Sequence, residues 1–264
     1  MVRAVPDILA RIVEHKRAEL VRDSARRGEL ERRAAERCEG NKDYRDFRGA
    51  LTARSPAIIG EIKKASPSKG VLADQFDPVS IARMYATGGA AALSVLTDRE
   101  FFQGALGDME AARAAVSLPV LRKDFTLDEF QVIEAAAHGT DAILLIAALL
   151  EEKEMRNLRE LAARYRMAAL VEVHDATELE FALDSGAEIV GVNNRNLHTF
   201  EVTLETSLHL AAKIPANVVK VSESGIHSRA DVTRLAAAGF HAFLVGEHLM
   251  KSADPAKSLR ELRS

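Results

Sequence analysis

The chain is poor in thiol: Cys38 is its only cysteine. One cysteine cannot close an intrachain disulfide, which fits a reducing compartment. There is no secretory hydrophobic core at the start either, because residues 1–20 carry Asp7, Arg11, Glu14, His15 and Lys16. The longest apolar run, Ala142 to Leu150, is too short to cross a bilayer. A formal net charge of −3 gives no reason to expect nucleic acid or an anionic membrane as partner. The seven histidines from His138 to His248 show no ligand spacing supported by cysteines, so no metal cluster is expected. These absences lead to the expectation of a cytoplasmic protein acting on a small molecule.

What is present is an ordinary balance, 47% hydrophobic and 28% charged over 264 residues. That length suits a single (β/α)8 barrel of roughly 250 residues. Residues 1–50, rich in Ala, Leu, Arg and Glu, read as an N-terminal helical extension within one domain spanning 1–264. In the extension, Ile8, Ile12, Val13 and Leu20 fall at helical spacing. Arg26 to Arg37 is so charged that a solvated face is expected, with Gly28 and Gly40 as punctuation.

From Pro56 a rhythm sets in. Short β-type runs are expected at Ala57–Lys63, Ala91–Leu96, Pro119–Lys123, Ala142–Ile146, Ala169–Val173, Glu188–Val192, Val218–Ser222 and Ala242–Val245. Helical patterns fill the gaps, and several end at a glycine such as Gly89, Gly139, Gly186 or Gly239. Eight such units argue for the α/β class and a closed (β/α)8 TIM barrel. An open doubly wound sheet is the alternative, but the turn Ser66-Pro-Ser-Lys-Gly70 has no G-x-G-x-x-G.

The first strand breaks the rule for buried strands. Glu61 and Lys63 sit two apart in an apolar run, so both point to the same face and need partners or a ligand. The same oddity recurs at other strand ends: Lys123 on the third, Glu172 on the fifth, Asn193 on the sixth and Glu223 on the seventh. In a (β/α)8 barrel those ends form the active-site mouth. Lysines among carboxylates keep their protons and can act as general acids, while a carboxylate beside a lysine stays ionised and can act as a base. His174, next to Glu172 in sequence, reads as a loop hydrogen-bonding residue. The loops after strands seven and eight carry Gly225 and Gly246, with Ser66 next door around the barrel, which suits a phosphate.

These stretches also carry a family likeness. Glu61-Ile-Lys-Lys-Ala-Ser-Pro-Ser68, Leu96-Thr-Asp-Arg-Glu-Phe-Phe102, Leu121-Arg-Lys-Asp-Phe125, Gly191-Val-Asn-Asn-Arg-Asn-Leu197, Ser222-Glu-Ser-Gly-Ile226 and Phe243-Leu-Val-Gly-Glu247 closely resemble indole-3-glycerol phosphate synthase, from about Val5 onward and in the expected order. The resemblance implies a cofactor-free barrel of tryptophan biosynthesis. It implies Lys123 as general acid in ring closure, Glu172 as base in dehydration, Lys63 as substrate holder and assisting acid, and Glu61, Asn193 and Glu223 as orienting groups. It further implies Arg195, Ser66, Ser224, Gly225, Leu244, Gly246 and Glu247 as substrate-binding residues. Phe101, Phe102 and Phe125 could wall the aryl ring or simply pack.

Two departures from that pattern are Ala105 and His248, each where a hydroxyl residue is common in relatives. His248 could bring positive character to the phosphate or cap a helix. A phosphoribosylanthranilate isomerase is the nearest rival, but it would want a Cys at a strand end, and Cys38 lies in the extension. A barrel that binds without turnover is the rival of another class. A monofunctional monomer is expected, with other enzymes of the tryptophan pathway as possible partners.

Overall fold

The rhythm of short apolar runs resolves, in a computed structural model, into a closed parallel barrel. The structure describes residues 7–40, 43–67, 69–73 and 75–264. Ser68, in the polar turn after the first strand, lies outside them. The barrel strands are β1 (Ala57–Ile62), β2 (Ala92–Leu96), β3 (Val120–Lys123), β4 (Ala142–Ile146), β5 (Ala168–Val173), β6 (Ile189–Asn193), β7 (Val219–Glu223) and β8 (Ala242–Val245). Neighbours in sequence are neighbours in space, and β1 closes on β8 with Ala57 opposite Ala242 and Gly60 opposite Val245.

Alternation along each strand divides the apolar residues between two cores. Ile58, Leu93, Val190 and Phe243 face the helical layer. Their neighbours Ile59, Ile189 and Leu244 fill the barrel with Leu121, Leu144 and Leu170. Continuing that alternation, Glu61 shares the inner face with Ile59, and Glu172 shares it with Leu170. The polar strand residues are therefore aimed at the mouth by the same period that builds the core.

The helices begin and end where their end residues demand. Asp77 accepts from Val79 N and is followed by Pro78, starting helix Pro78–Gly88, which Gly89 closes at φ 84°. Asp128 and Gln131 form a reciprocal cap on helix Glu129–Ala137.

The extension forms helices Asp7–Asp23 and Arg27–Gly40. Here one expectation is corrected. The second helix runs through Gly28 and ends at Gly40, and it is not merely a solvated face, since Leu30 and Ala34 are buried against helix Glu129–Ala137. Two apolar residues four apart make a stripe too narrow to stand out among eight charged neighbours, yet wide enough for one helix contact. The first helix lies over the barrel mouth, with Leu9 and Ile12 buried.

Candidate active site

Glu61, Lys63, Lys123, Glu172, Asn193 and Glu223 come from five strand ends and line one cavity of about 170 Å³. Ser66, Arg195, Ser224, Leu244 and Glu247 line it as well. Gly225 and Gly246 do not. They line a second cavity of about 270 Å³ that shares Glu61, Lys63, Arg195, Ser224, Leu244 and Glu247 with the first.

The charges inside are paired. The Lys63 ammonium donates to Glu61 Oε1 at 2.8 Å. Lys123 donates to Glu172 Oε2 at 3.0 Å and stands 3.9 Å from Glu223 Oε2. Asn193 donates from Nδ2 to Glu172 Oε1 at 3.0 Å, while its Oδ1 accepts from Ser224 Oγ at 2.9 Å and from the Arg195 N–H at 3.0 Å. That set of partners leaves the amide one orientation. Burial alone would strip the Lys123 proton, but Glu172, Glu223 and Glu61 outweigh it and hold the ammonium above the ordinary lysine value. Burial likewise opposes charge on Glu172, yet Lys123, His174 and Asn193 hold its carboxylate well below the usual range.

Glu223 behaves differently. Burial and the neighbouring Glu172 push its carboxyl up to about 8, beyond what Lys123 can offset. The rule that a carboxylate beside a lysine stays ionised thus holds for Glu172 and fails for Glu223. One lysine serves two buried carboxyls, and it sits closer to Glu172. Glycines make the room for both inner acids. A Cβ at position 191 would come within 2.1 Å of Glu223 Oε1, and one at position 246 within 2.7 Å of Glu61 Oε1.

At the rim, Ser224 and Gly225 both take left-handed backbone, φ 67° and 77°, and Gly246 opens the short helix Glu247–Met250 with no side chain in the way. The Arg195 guanidinium is 3.9 Å from Glu247 Oε2. His248 meets His227 edge to face at 6.0 Å. Burial and that second ring hold His248 below the usual histidine range, so the extra positive charge considered there is disfavoured. Ala105 precedes helix Leu106–Ala115 without a side-chain cap, which is where a hydroxyl would have bonded.

One wall of the first cavity is apolar. Phe102 and Phe125 line it, their rings 6.2 Å apart, with Leu144 and Leu197. Phe101 turns away and packs on His15. Among the lining residues that escaped the sequence reading are Ile8, Leu9 and Ile12, from the first helix of the extension. Lys16 on the same helix was missed too. It is buried and lies 2.8 Å from both Asp98 Oδ2 and Asp124 Oδ1, where it fastens the helix beside Lys123. Burial works against the Asp124 charge, but Arg122 and Lys16 hold its carboxyl down at about 2. His174 does more than bond a loop. Its ring bridges Glu178 Oε2, at 2.9 Å from Nδ1, and Glu172 Oε1, at 3.4 Å from Nε2. Burial opposes its charge, but the two carboxylates push it up to about 10.

A paired lysine and glutamate, an apolar wall and a glycine-lined rim together suit proton-transfer chemistry on an aromatic molecule carrying an anionic group. Comparisons with known proteins point the same way. A family model described as indole-3-glycerol phosphate synthase matches residues 9–262. The chain is 51% identical over 260 residues to an indole-3-glycerol phosphate synthase of Albidiferax ferrireducens, covering 97% of this chain and 98% of that protein. It is 52% identical to one of Burkholderia vietnamiensis, with the same coverage. Among solved structures it is similar to a 3-hexulose-6-phosphate synthase, with a TM-score of 0.63 at 17% identity over 78% of this chain and 98% of that one. It is also similar to a thiamine phosphate pyrophosphorylase from Pyrococcus furiosus, with a TM-score of 0.60 at 17% identity over 83% and 96%. At such identities the structural likeness concerns the fold alone.

Proposed function

The chain belongs to the indole-3-glycerol phosphate synthase family, and from that premise we infer how its barrel mouth divides the work. The family reaction is that of a carboxy-lyase in tryptophan biosynthesis. The ring of 1-(2-carboxyphenylamino)-1-deoxyribulose 5-phosphate closes, the aryl carboxylate departs as carbon dioxide, and water is lost to leave indole-3-glycerol phosphate.

The substrate must fold until a ring carbon reaches its ketone, so holding both ends removes much of the entropic barrier. In this reading the phosphate lies at the rim formed by Ser66, Ser224, Gly225, Leu244, Gly246 and Glu247, with Arg195 beside it. The aryl ring lies against Phe102, Phe125 and the underside of the first helix. Lys63, paired with Glu61, grips the substrate between them. Lys123 gives its proton to the ketone oxygen as the new carbon–carbon bond forms. The ammonium is held tightly at rest, so donation becomes favourable only as negative charge builds on that oxygen. An apolar wall favours expulsion of the carboxylate, whose charge is lost in the step. Glu172, kept ionised, then takes the carbon-bound proton as the hydroxyl leaves. Asn193 fixes Glu172, and Glu223 orients Lys123.

The observation that supports this best is the 3.0 Å pairing of Lys123 with Glu172 inside a cavity that has an apolar wall on one side and a glycine rim on the other. Cys38, the residue an isomerase would need near the substrate, lies in the extension with its Sγ 3.6 Å from Arg164 O. A cytoplasmic monomer, working alone or beside other enzymes of the pathway, fits the reading. Adding the carboxyphenylamino substrate and following indole fluorescence tests it. A rising signal is expected; substrate binding without that signal favours a barrel that has lost turnover.

A further inference from the structure

The reaction does not conserve protons within the substrate. A carboxylate anion leaves as neutral carbon dioxide, and its bonding electrons return to the ring. The ketone oxygen takes one proton to become a hydroxyl, the hydroxyl takes another to leave as water, and one carbon-bound proton is given up. Two protons enter and one comes back, so each turnover draws one proton from solvent. The cavity in which this happens is roofed by the first helix and walled by Phe102 and Phe125.

A larger cavity, about 520 Å³, lies next to the first at the C-terminal ends of β5 and β6, lined by His174, Asp175, Glu178, His198, Glu201 and the loop after β6. Glu172 lines the inner cavity and not the outer one, whereas His174 and Glu178 line the outer and not the inner. The two cavities meet at Asn193, Arg195 and Leu197, which line both, and beside them the contact of Glu172 Oε1 with His174 Nε2, at 3.4 Å, links the inner carboxylate to the outer pair. On the far side Glu178 Oε2 is held by both the His174 ring, at 2.9 Å, and the His174 backbone N–H, at 2.8 Å. On the near side Glu172 Oε2 accepts from Lys123 at 3.0 Å.

We propose that Glu178, His174 and Glu172 form the relay by which one proton per turnover passes from solvent in the outer cavity to Lys123. This rests on the reading of Lys123 and Glu172 as acid and base. Among the described residues the buried Nε2 makes no full hydrogen bond, so a small turn of the ring has to shorten its 3.4 Å contact with Glu172 before the proton passes. Proton affinity is greater at Lys123 than at His174, and Glu172 between them holds the proton only in transit. His174 is pushed up to about 10, against burial, by Glu172 and Glu178, and Lys123 is held higher still by Glu172, Glu223 and Glu61. Once Lys123 has given its proton away, Glu172 loses the cation that kept it ionised and can pass the His174 proton on. Solvent then recharges His174 through the outer cavity, where Asp175, Arg195, His198 and Glu201 are the other charged or titratable groups facing it.

The test compares single turnover, with enzyme in excess, against steady state in His174→Gln and in Glu178→Gln. The first turnover can use protons already held by Lys123 and Glu223. The steady-state rate should thus fall about tenfold or more while the single-turnover rate falls much less. Imidazole buffers should restore the steady-state rate of His174→Gln, with the gain following the buffer pKa as proton transfer requires. An equal loss in both regimes, no loss in either, or a rescue indifferent to buffer pKa overturns the relay. Glu172→Gln separates the two readings. If that variant keeps its activity, the base assignment itself fails; if it is inactive while His174→Gln shows no gap between regimes, only the relay fails.

Discussion

Glu223→Gln should make the protein more stable at alkaline pH while harming the site. Glu223 is buried, and one of its carboxyl oxygens, Oε1, has no hydrogen-bond partner among the described residues. Burial and Glu172 push its carboxyl up to about 8 from a reference of 4.5. Below pH 4.5 the group is protonated in both folded and unfolded chains, and the amide offers no advantage. Above that, the unfolded chain releases the proton while the folded one still holds it, so the wild type loses stability as pH rises. The loss stops growing near pH 8, where the folded protein also ionises. At about 1.4 kcal/mol per pH unit over a window of about 3.5 units, the penalty reaches on the order of 5 kcal/mol. The Gln variant avoids it, and at about 2 °C per kcal/mol in a chain of this size its Tm should exceed the wild type by roughly 5–10 °C at pH 8.5. Thermal unfolding followed by circular dichroism from pH 4.5 to 9 reads the difference. A gap that does not widen with pH, or a variant that melts lower at pH 8.5, would refute the reasoning.

Other perturbations probe the remaining parts. Ser66→Ala should raise KM about tenfold with kcat little changed, since a hydrogen bond to a charged group is worth roughly 1.5–3 kcal/mol; steady-state kinetics decide, and an unchanged KM removes Ser66 from the phosphate. Lys16→Met leaves Asp98 and Asp124 buried without their shared cation, at a cost of about 3–5 kcal/mol. Urea unfolding should show it, together with a raised KM from a loosened first helix. Leu30→Ala, fully buried, should cost about 2–5 kcal/mol, whereas the exposed Arg32→Ala nearby should stay within about 0.5 kcal/mol.

The barrel was legible because its strands are apolar runs interrupted by charge, and the interruptions fall where alternation points them inward. Glu61 beside Ile59 and Glu172 beside Leu170 needed nothing but the period of a strand. Other features depend on where elements meet in space. The spacing of Ile8 and Ile12 announces a helix face but not that this face closes the barrel mouth. Leu30 and Ala34 are too few to outvote the charges around them. The protonation of Glu223 follows from its distance to a lysine two strands from Glu172 and four from itself, which no local pattern encodes. His174 gains its second partner only because Glu178, one turn into the next helix, folds back onto it. The outer cavity is lined jointly by that pair and the loop after β6, two segments that adjoin only in space.

The account turns on Lys123 giving up its proton inside the shared cavity. The chain has no tryptophan, so the protein adds no indole emission of its own to that of an indole product. Single turnover of Lys123→Ala with the carboxyphenylamino substrate should be slower than wild type by about 10²- to 10⁴-fold, the span of a lost general acid, while the substrate still binds. An indole signal rising at close to the wild-type rate would contradict it.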